Sequence, residues 1–208
     1  MTTESLRLGS QTTVPPPRVV HPRSIDFDAV RDAAEQLMRA LEMDLADPAL
    51  TETPARVARA YAELLTPKDF EMRTYANDEG YHELVVARSI AFVSICEHHL
   101  LPFFGTATVG YLPDQRILGL SKLARVVEMF ARRPQMQERL TKQIAQWLDA
   151  RLRPRGIGVV IRAEHCCMTM RGVRARGALS TTSTLLGLVR DDPRTRSEFF
   201  ALAAAAGS

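Results

Sequence analysis

Two short runs of cysteine and histidine constrain this chain more than anything else in it. They are Cys96-Glu97-His98-His99 and His165-Cys166-Cys167, about 70 residues apart. Thiolate and neutral imidazole are the preferred ligands of zinc, and a Cys-x-x-His step offers two of them from one turn. A third ligand from the second run completes a set only if the fold brings that run back to the first. Three protein ligands leave a coordination position open, which suits catalysis on water better than a structural clip. A fourth ligand from His98 or His165 would close the site instead, and spacing alone leaves that alternative standing.

Spacing does favour particular members of each run. Adjacent histidines do not both reach one ion easily, and the i, i+3 step from Cys96 favours His99. His98 is then left near the metal, suited to proton transfer because imidazole titrates near neutrality. The stretch from 156 to 171 reads as a strand. Alternation along it puts His165, Cys167, Thr169 and Arg171 on one face and Cys166, Met168 and Met170 on the other. That selects Cys167 over Cys166 and places Arg171 where it can hold an anionic group.

Three cysteines, two of them adjacent, make a poor disulfide framework, because bridged cysteines need separated Cα atoms. The pattern reads as metal-binding in a reducing compartment. There is no run of about 18 apolar residues to cross a bilayer, and the first residues have no apolar signal core. A cytoplasmic protein with no membrane partner is expected. The net charge of +3 is spread along the chain and fits a small anionic substrate. Aromatics are only 6% of residues and fall mostly at helical core positions, which argues against a nucleic-acid partner.

Periodicity predicts an α+β chain with antiparallel strand pairs and helices on one face. Residues 1–24 are polar and proline-rich and read as a flexible arm. Residues 25–80 read as a helical N-terminal region: a helix over 26–43, a second from Thr53, with Thr53 as cap and Pro54 in its first turn, and a loop over 66–82. Residues 81–208 read as the catalytic domain. It holds strands at 84–96, 106–111, 156–171 and 179–188. Two helices lie between the strand pairs, the first capped by Ser121, and a short helix follows Asp192-Pro193.

The longer motifs resemble GTP cyclohydrolase I of the zinc-dependent type. They are TPARVARAY (53–61), SICEHHLLPFFG (94–105), YLPDQRILGLSKLARVVEMFARRPQMQERLTKQIA (111–145), HCCMTMRGV (165–173), TSTLLG (182–187) and DDPRTRSEFF (191–200). The resemblance implies hydrolysis of GTP at C8, release of formate and closure of a pterin ring as 7,8-dihydroneopterin triphosphate. That product feeds folate or tetrahydrobiopterin synthesis, with a deazapurine route as the alternative. It also implies the tunnelling-fold and a homo-oligomer, a toroidal decamer, with sites at subunit interfaces.

Carried over residue by residue, the family's zinc ligands fall on Cys96, His99 and Cys167, and its catalytic histidines on His98 and His165. Glu138 matches the carboxylate that recognises guanine, whose N1–H and 2-amino group are adjacent donors; Gln137 would shape the same pocket. Lys122 and Arg125, three apart after Ser121, would hold the triphosphate with Arg171. Arg56 would reach in from a neighbouring subunit, and Arg139 is a further candidate. Thr106, where many relatives have lysine, and Val189, near which many have an aromatic, depart from the family pattern away from this chemistry.

Overall fold

The computed structural model describes residues 25–204; the arm expected over 1–24 lies outside the described residues. Two helices come first, α1 (Phe27–Ala40) and α2 (Thr53–Leu65), packed on each other. Asp26 caps α1, its side chain accepting from the Ala29 N–H at 3.0 Å, which satisfies one of the free donors of the first turn. Thr53 is the first residue of α2 rather than its cap. Glu52 takes the cap position without a side-chain bond, and Pro54 in the first turn sets the helical φ.

Next come β1 (Thr74–Ala76), β2 (Val85–Cys96), β3 (Pro102–Leu112) and β4 (Arg116–Leu118). The segment 66–82, expected as loop, thus contains a strand, and β1 pairs antiparallel with β4. A three-residue strand is too short to show alternation in sequence; its pairing partner defines it. Then follow α3 (Leu120–Ala131), β5 (Pro134–Gln135), α4 (Gln137–Leu152), β6 (Gly156–His165), α5 (Cys166–Thr169), β7 (Ser180–Gly187), α6 (Leu188–Asp191) and α7 (Pro193–Ala204). Ser121 is not a cap: α3 begins at Leu120 after Gly119, without a capping side-chain bond.

The main sheet has the order β5-β2-β3-β6-β7, antiparallel except for the short parallel pairing of β2 with β5. Odd positions of β3 and β6, among them Val109, Tyr111, Val159 and Ile161, face a core closed by α3 and α4 through Leu123, Phe130, Leu140, Ile144 and Leu148. This is the helical face expected from the α+β pattern. Even positions point the other way, and at one end of that second face Leu112 and Val160 meet Val189 and Phe199 from the C-terminal helices.

Phe199 is fully buried over the two central strands, where the backbone leaves it room. A Cβ on Gly158 would lie 2.5 Å from its ring, and one on Gly110 3.0 Å. The ring therefore occupies the space two missing side chains vacate. Gly158→Ala should lower the melting temperature, by the ~1–3 kcal/mol typical of overpacking, and Phe199→Leu in the same chain should recover part of it. An unchanged melt in Gly158→Ala would show that the helix yields without strain.

Candidate functional site

β2 and β3 form a hairpin whose loop, 97–101, contains most of the first cysteine–histidine run. The loop is tight. The Leu100 N–H donates to the Cys96 carbonyl at 2.8 Å, the Cys96 N–H to the Leu101 carbonyl at 2.9 Å, and Leu100 takes φ +54°. Three parts of the chain brace it. The Glu97 N–H donates to the Gln135 carbonyl at 3.1 Å from β5. Tyr61 of α2 donates its hydroxyl to the Leu100 carbonyl at 2.9 Å. The Glu97 carboxylate meets the Arg139 guanidinium of α4, which holds its pKa below the ordinary carboxylate value.

The second run arrives through strand register. β3 and β6 pair so that Phe103 lies opposite His165, one strand position inside the hairpin loop. The two rings stack at 4.6 Å between centroids with planes 2° apart. The strand stops there. Cys166–Thr169 is a single helical turn, closed by the Met170 N–H on the Cys166 carbonyl at 3.1 Å. The strand expected over 156–171 is therefore six residues too long, and face alternation cannot be what separates Cys167 from Cys166. The helical turn does it instead, because consecutive residues point about 100° apart. Arg171 accordingly leaves from the loop after the turn, not from a strand.

The outcome is a compact donor group. One ligand atom each from Cys96, His99 and Cys167 lie within 4.8 Å of one another, with Cys96 buried, Cys167 half-buried and His99 exposed. Cys96 Sγ is 3.7 Å from His99 Nδ1. Zn–S near 2.3 Å and Zn–N near 2.0 Å in a tetrahedron place such atoms about 3.5 Å apart, so the pair needs little movement to share an ion. Two thiols and an imidazole are soft donors, suited to zinc and unsuited to magnesium or calcium. Burial and the neighbouring Cys96 push the Cys167 thiol up, and Arg171 acts in the opposite sense. His98 Nδ1 lies 3.9 Å from Cys96 Sγ, and neither His98 nor His165 joins the three-donor group.

A family model described as GTP cyclohydrolase I matches residues 30–204. The chain belongs to the GTP cyclohydrolase I family. It is 47% identical over 179 residues to "GTP cyclohydrolase 1" of Aquifex aeolicus, covering 86% of this chain and 97% of that one. It is 48% identical to the protein of that name from Thermobifida fusca, over 85% of this chain and 88% of the relative. The same-named protein of Mycobacterium leprae is 45% identical and covers 95% of this chain and 97% of its own length. The mixed sheet with its helical face is consistent with the tunnelling-fold expected for this family.

Beside the donor group of this family member, His165 is gripped by Gln137, the fully helical first residue of α4. His165 Nε2 lies 2.7 Å from Gln137 Oε1. The Gln137 amide nitrogen faces the carbonyls of Ile161 (3.1 Å) and Ser180 (3.0 Å), which only accept. Its oxygen therefore faces His165 and must accept, so the proton sits on Nε2 and the basic nitrogen is Nδ1. Desolvation lowers the His165 pKa below its ordinary value, with Glu138 acting in the opposite sense. Glu138 is exposed and electrostatically felt by His165.

The other expected anion ligands are not gathered here. Ser121 and Arg125 are exposed near the start of α3 and line an open cleft of about 630 Å³ with Phe92, Val93 and Glu63. Arg125 pairs with Glu128 at 3.2 Å, and the Lys122 ammonium sits 5.8 Å from the Phe70 ring centroid. It is the far end of α3 that approaches the donor group, where Ser94 donates to the Ala131 carbonyl at 2.6 Å. Ten residues of helix put Ser121 about 15 Å from that end. Arg56 is exposed on the first turn of α2. Arg139, a candidate for phosphate, is committed to Glu97. The sequence reading missed that pair, the Gln137–His165 bond and the Phe103 stack; each joins residues far apart in the chain, with no local pattern to betray it.

One zinc or cobalt ion per chain should bind, with Cys167→Ser losing it and Cys166→Ser keeping it, as read by metal content after dialysis. Equal loss in both variants would break the assignment of Cys167.

Proposed function

We propose that this chain hydrolyses GTP at C8, releases formate and forms 7,8-dihydroneopterin triphosphate, with one zinc ion held by Cys96, His99 and Cys167. The observation that carries the reading is the Cys–His–Cys group with His165 fixed beside it, in a chain of this family. When bound, zinc with three protein ligands supplies a Lewis acid that makes water nucleophilic near neutral pH.

The chain's own residues do the rest. His165 takes protons at Nδ1, because Gln137 holds the tautomer and desolvation disfavours the charged ring. Gln137 is thus a positioning residue more than a wall of the guanine pocket. His98, exposed next to the donor group, exchanges protons between the purine and solvent. Glu138 accepts from guanine N1–H and the 2-amino group, a donor pair adenine lacks; ATP would leave the carboxylate unpaired. Arg171, near enough to act on the Cys167 thiol, takes part of the triphosphate charge.

Ser121, Lys122, Arg125 and Arg56 serve the triphosphate from neighbouring copies. The start of α3 lies about 15 Å along the helix from the end nearest the donor group, and Ser121 and Arg125 line a separate cleft, which favours their serving a nucleotide held by another copy. β7 is an edge strand of the sheet, where another copy could add its own strand. We infer a homo-oligomer with shared sites, a decamer as the resemblance to the family implies. Three free thiols fit a cytoplasmic location, and among the described residues no helix is long and apolar enough to cross a membrane.

Zinc-loaded protein incubated with GTP should release formate and develop the pterin absorbance together, with neither from ATP. Zinc bound and the oligomer intact, yet no formate from GTP, would overturn the reading. Glu138→Gln should keep its zinc and lose about 10- to 100-fold in kcat/KM, the worth of charged hydrogen bonding at ~1.5–3 kcal/mol. Unchanged turnover would remove Glu138 from guanine recognition.

A further inference from the structure

Glu97 lies between Cys96 and His99, carries no proposed ligand atom and yet is the most constrained side chain of the hairpin loop. Its two carboxylate oxygens receive separate guanidinium nitrogens of Arg139, Nη1 at 3.2 Å and Nη2 in close contact. Arg139 is itself fixed. Its Nε donates to Gln135 Oε1 at 2.9 Å and its Nη2 also to the Pro134 carbonyl at 3.2 Å, so four of its five N–H donors are used inside the chain. Gln135 is fully buried, and its amide nitrogen donates to the Phe130 carbonyl (2.9 Å) and to Gln143 Oε1 (2.8 Å). A continuous polar line therefore runs from the body of α4, through β5, to the residue next to Cys96.

Other ion pairs such as Arg31–Asp28 and Arg39–Glu35 join residues within one helical turn on an exposed surface, where such pairs contribute little. Arg139–Glu97 joins α4 to a loop 42 positions away and is part-buried. A bidentate fork fixes orientation as well as distance, which a lysine ammonium does not.

We propose that Arg139, seated on Gln135, is a positioning residue for the metal site: through Glu97 it locks the hairpin loop so that Cys96 and His99 are held for the ion before it arrives. Outer partners of this kind typically change metal affinity 10- to 100-fold. The proposal rests on the zinc reading above and goes beyond it in assigning Arg139, Glu97 and Gln135 a role in metal retention rather than in phosphate binding.

The test is the rate of zinc transfer from the full-length loaded protein to a coloured chelator such as 4-(2-pyridylazo)resorcinol. Arg139→Met should speed transfer about 10- to 100-fold. Glu97→Gln, which keeps an acceptor but loses the charge, should speed it less. The double variant should be no faster than Arg139→Met alone, because the two act as one unit. Loss of the lock should lower the melting temperature of the zinc-loaded protein more than that of the zinc-free protein; equal lowering of both would reduce the pair to general fold stability and overturn the proposal. Transfer at the wild-type rate in Arg139→Met would overturn it as well. If Arg139→Met does not fold, Glu97→Gln decides by the same rate. Wild-type protein that holds no zinc would instead fail the metal reading itself, a result separate from any effect of the variants.

Discussion

The antiparallel register of β3 on β6 is the constraint from which the site follows. It sets Phe103 opposite His165 and so delivers the second cysteine–histidine run to the mouth of the hairpin that carries the first. Strand pairing has period two, and a slip of one residue would reverse every side chain of β6 between faces. Such a slip would take Val159 and Ile161 out of the core with α3 and α4. The burial of those aliphatic side chains therefore fixes, at a distance, the place of His165 and of the turn that follows it. Core packing and site geometry are one constraint.

Two polar braces then refine what register delivers. Gln137 and Gln135 are both almost wholly buried, and both spend their amide nitrogens on acceptors within the fold. A buried amide with an unmatched group is costly, so satisfying every partner makes each orientation unique. Each glutamine is left with one oxygen pointing outward: that of Gln137 to His165, that of Gln135 to Arg139. Both flank the start of α4, so a single helix N-terminus braces both cysteine–histidine runs.

The same architecture explains why one chain holds the donor group but not the cations expected around a triphosphate. α3 lies along β2 with its C-terminal end beside the hairpin loop and its N-terminal end, carrying Ser121, Lys122 and Arg125, pointing away. The two ends of α3 are about 15 Å apart, so the side chains at its start face a different region of the surface from the donor group. Sites shared between copies, as proposed above, would reconcile this direction with a triphosphate bound at the donor group.

The sequence by itself determined the element types over most of the chain, because helical periodicity at Leu123, Val126, Val127 and Phe130 and the β-branched run at 85–96 are local signals. It also determined the donor types, since Cys and His announce soft-metal chemistry wherever they stand. It misjudged where the strand after Gly156 stops. Alternation persists on paper through Arg171, whereas the backbone turns helical at Cys166. It missed β1, which exists only by pairing with β4. Only the tertiary structure decided that Cys167 meets Cys96 and His99 from a helical turn, that Arg139 answers Glu97 and that Gln137 holds His165. These are encounters between segments distant in the chain, set by sheet register and by the demand that buried polar groups find partners, and no local pattern encodes them.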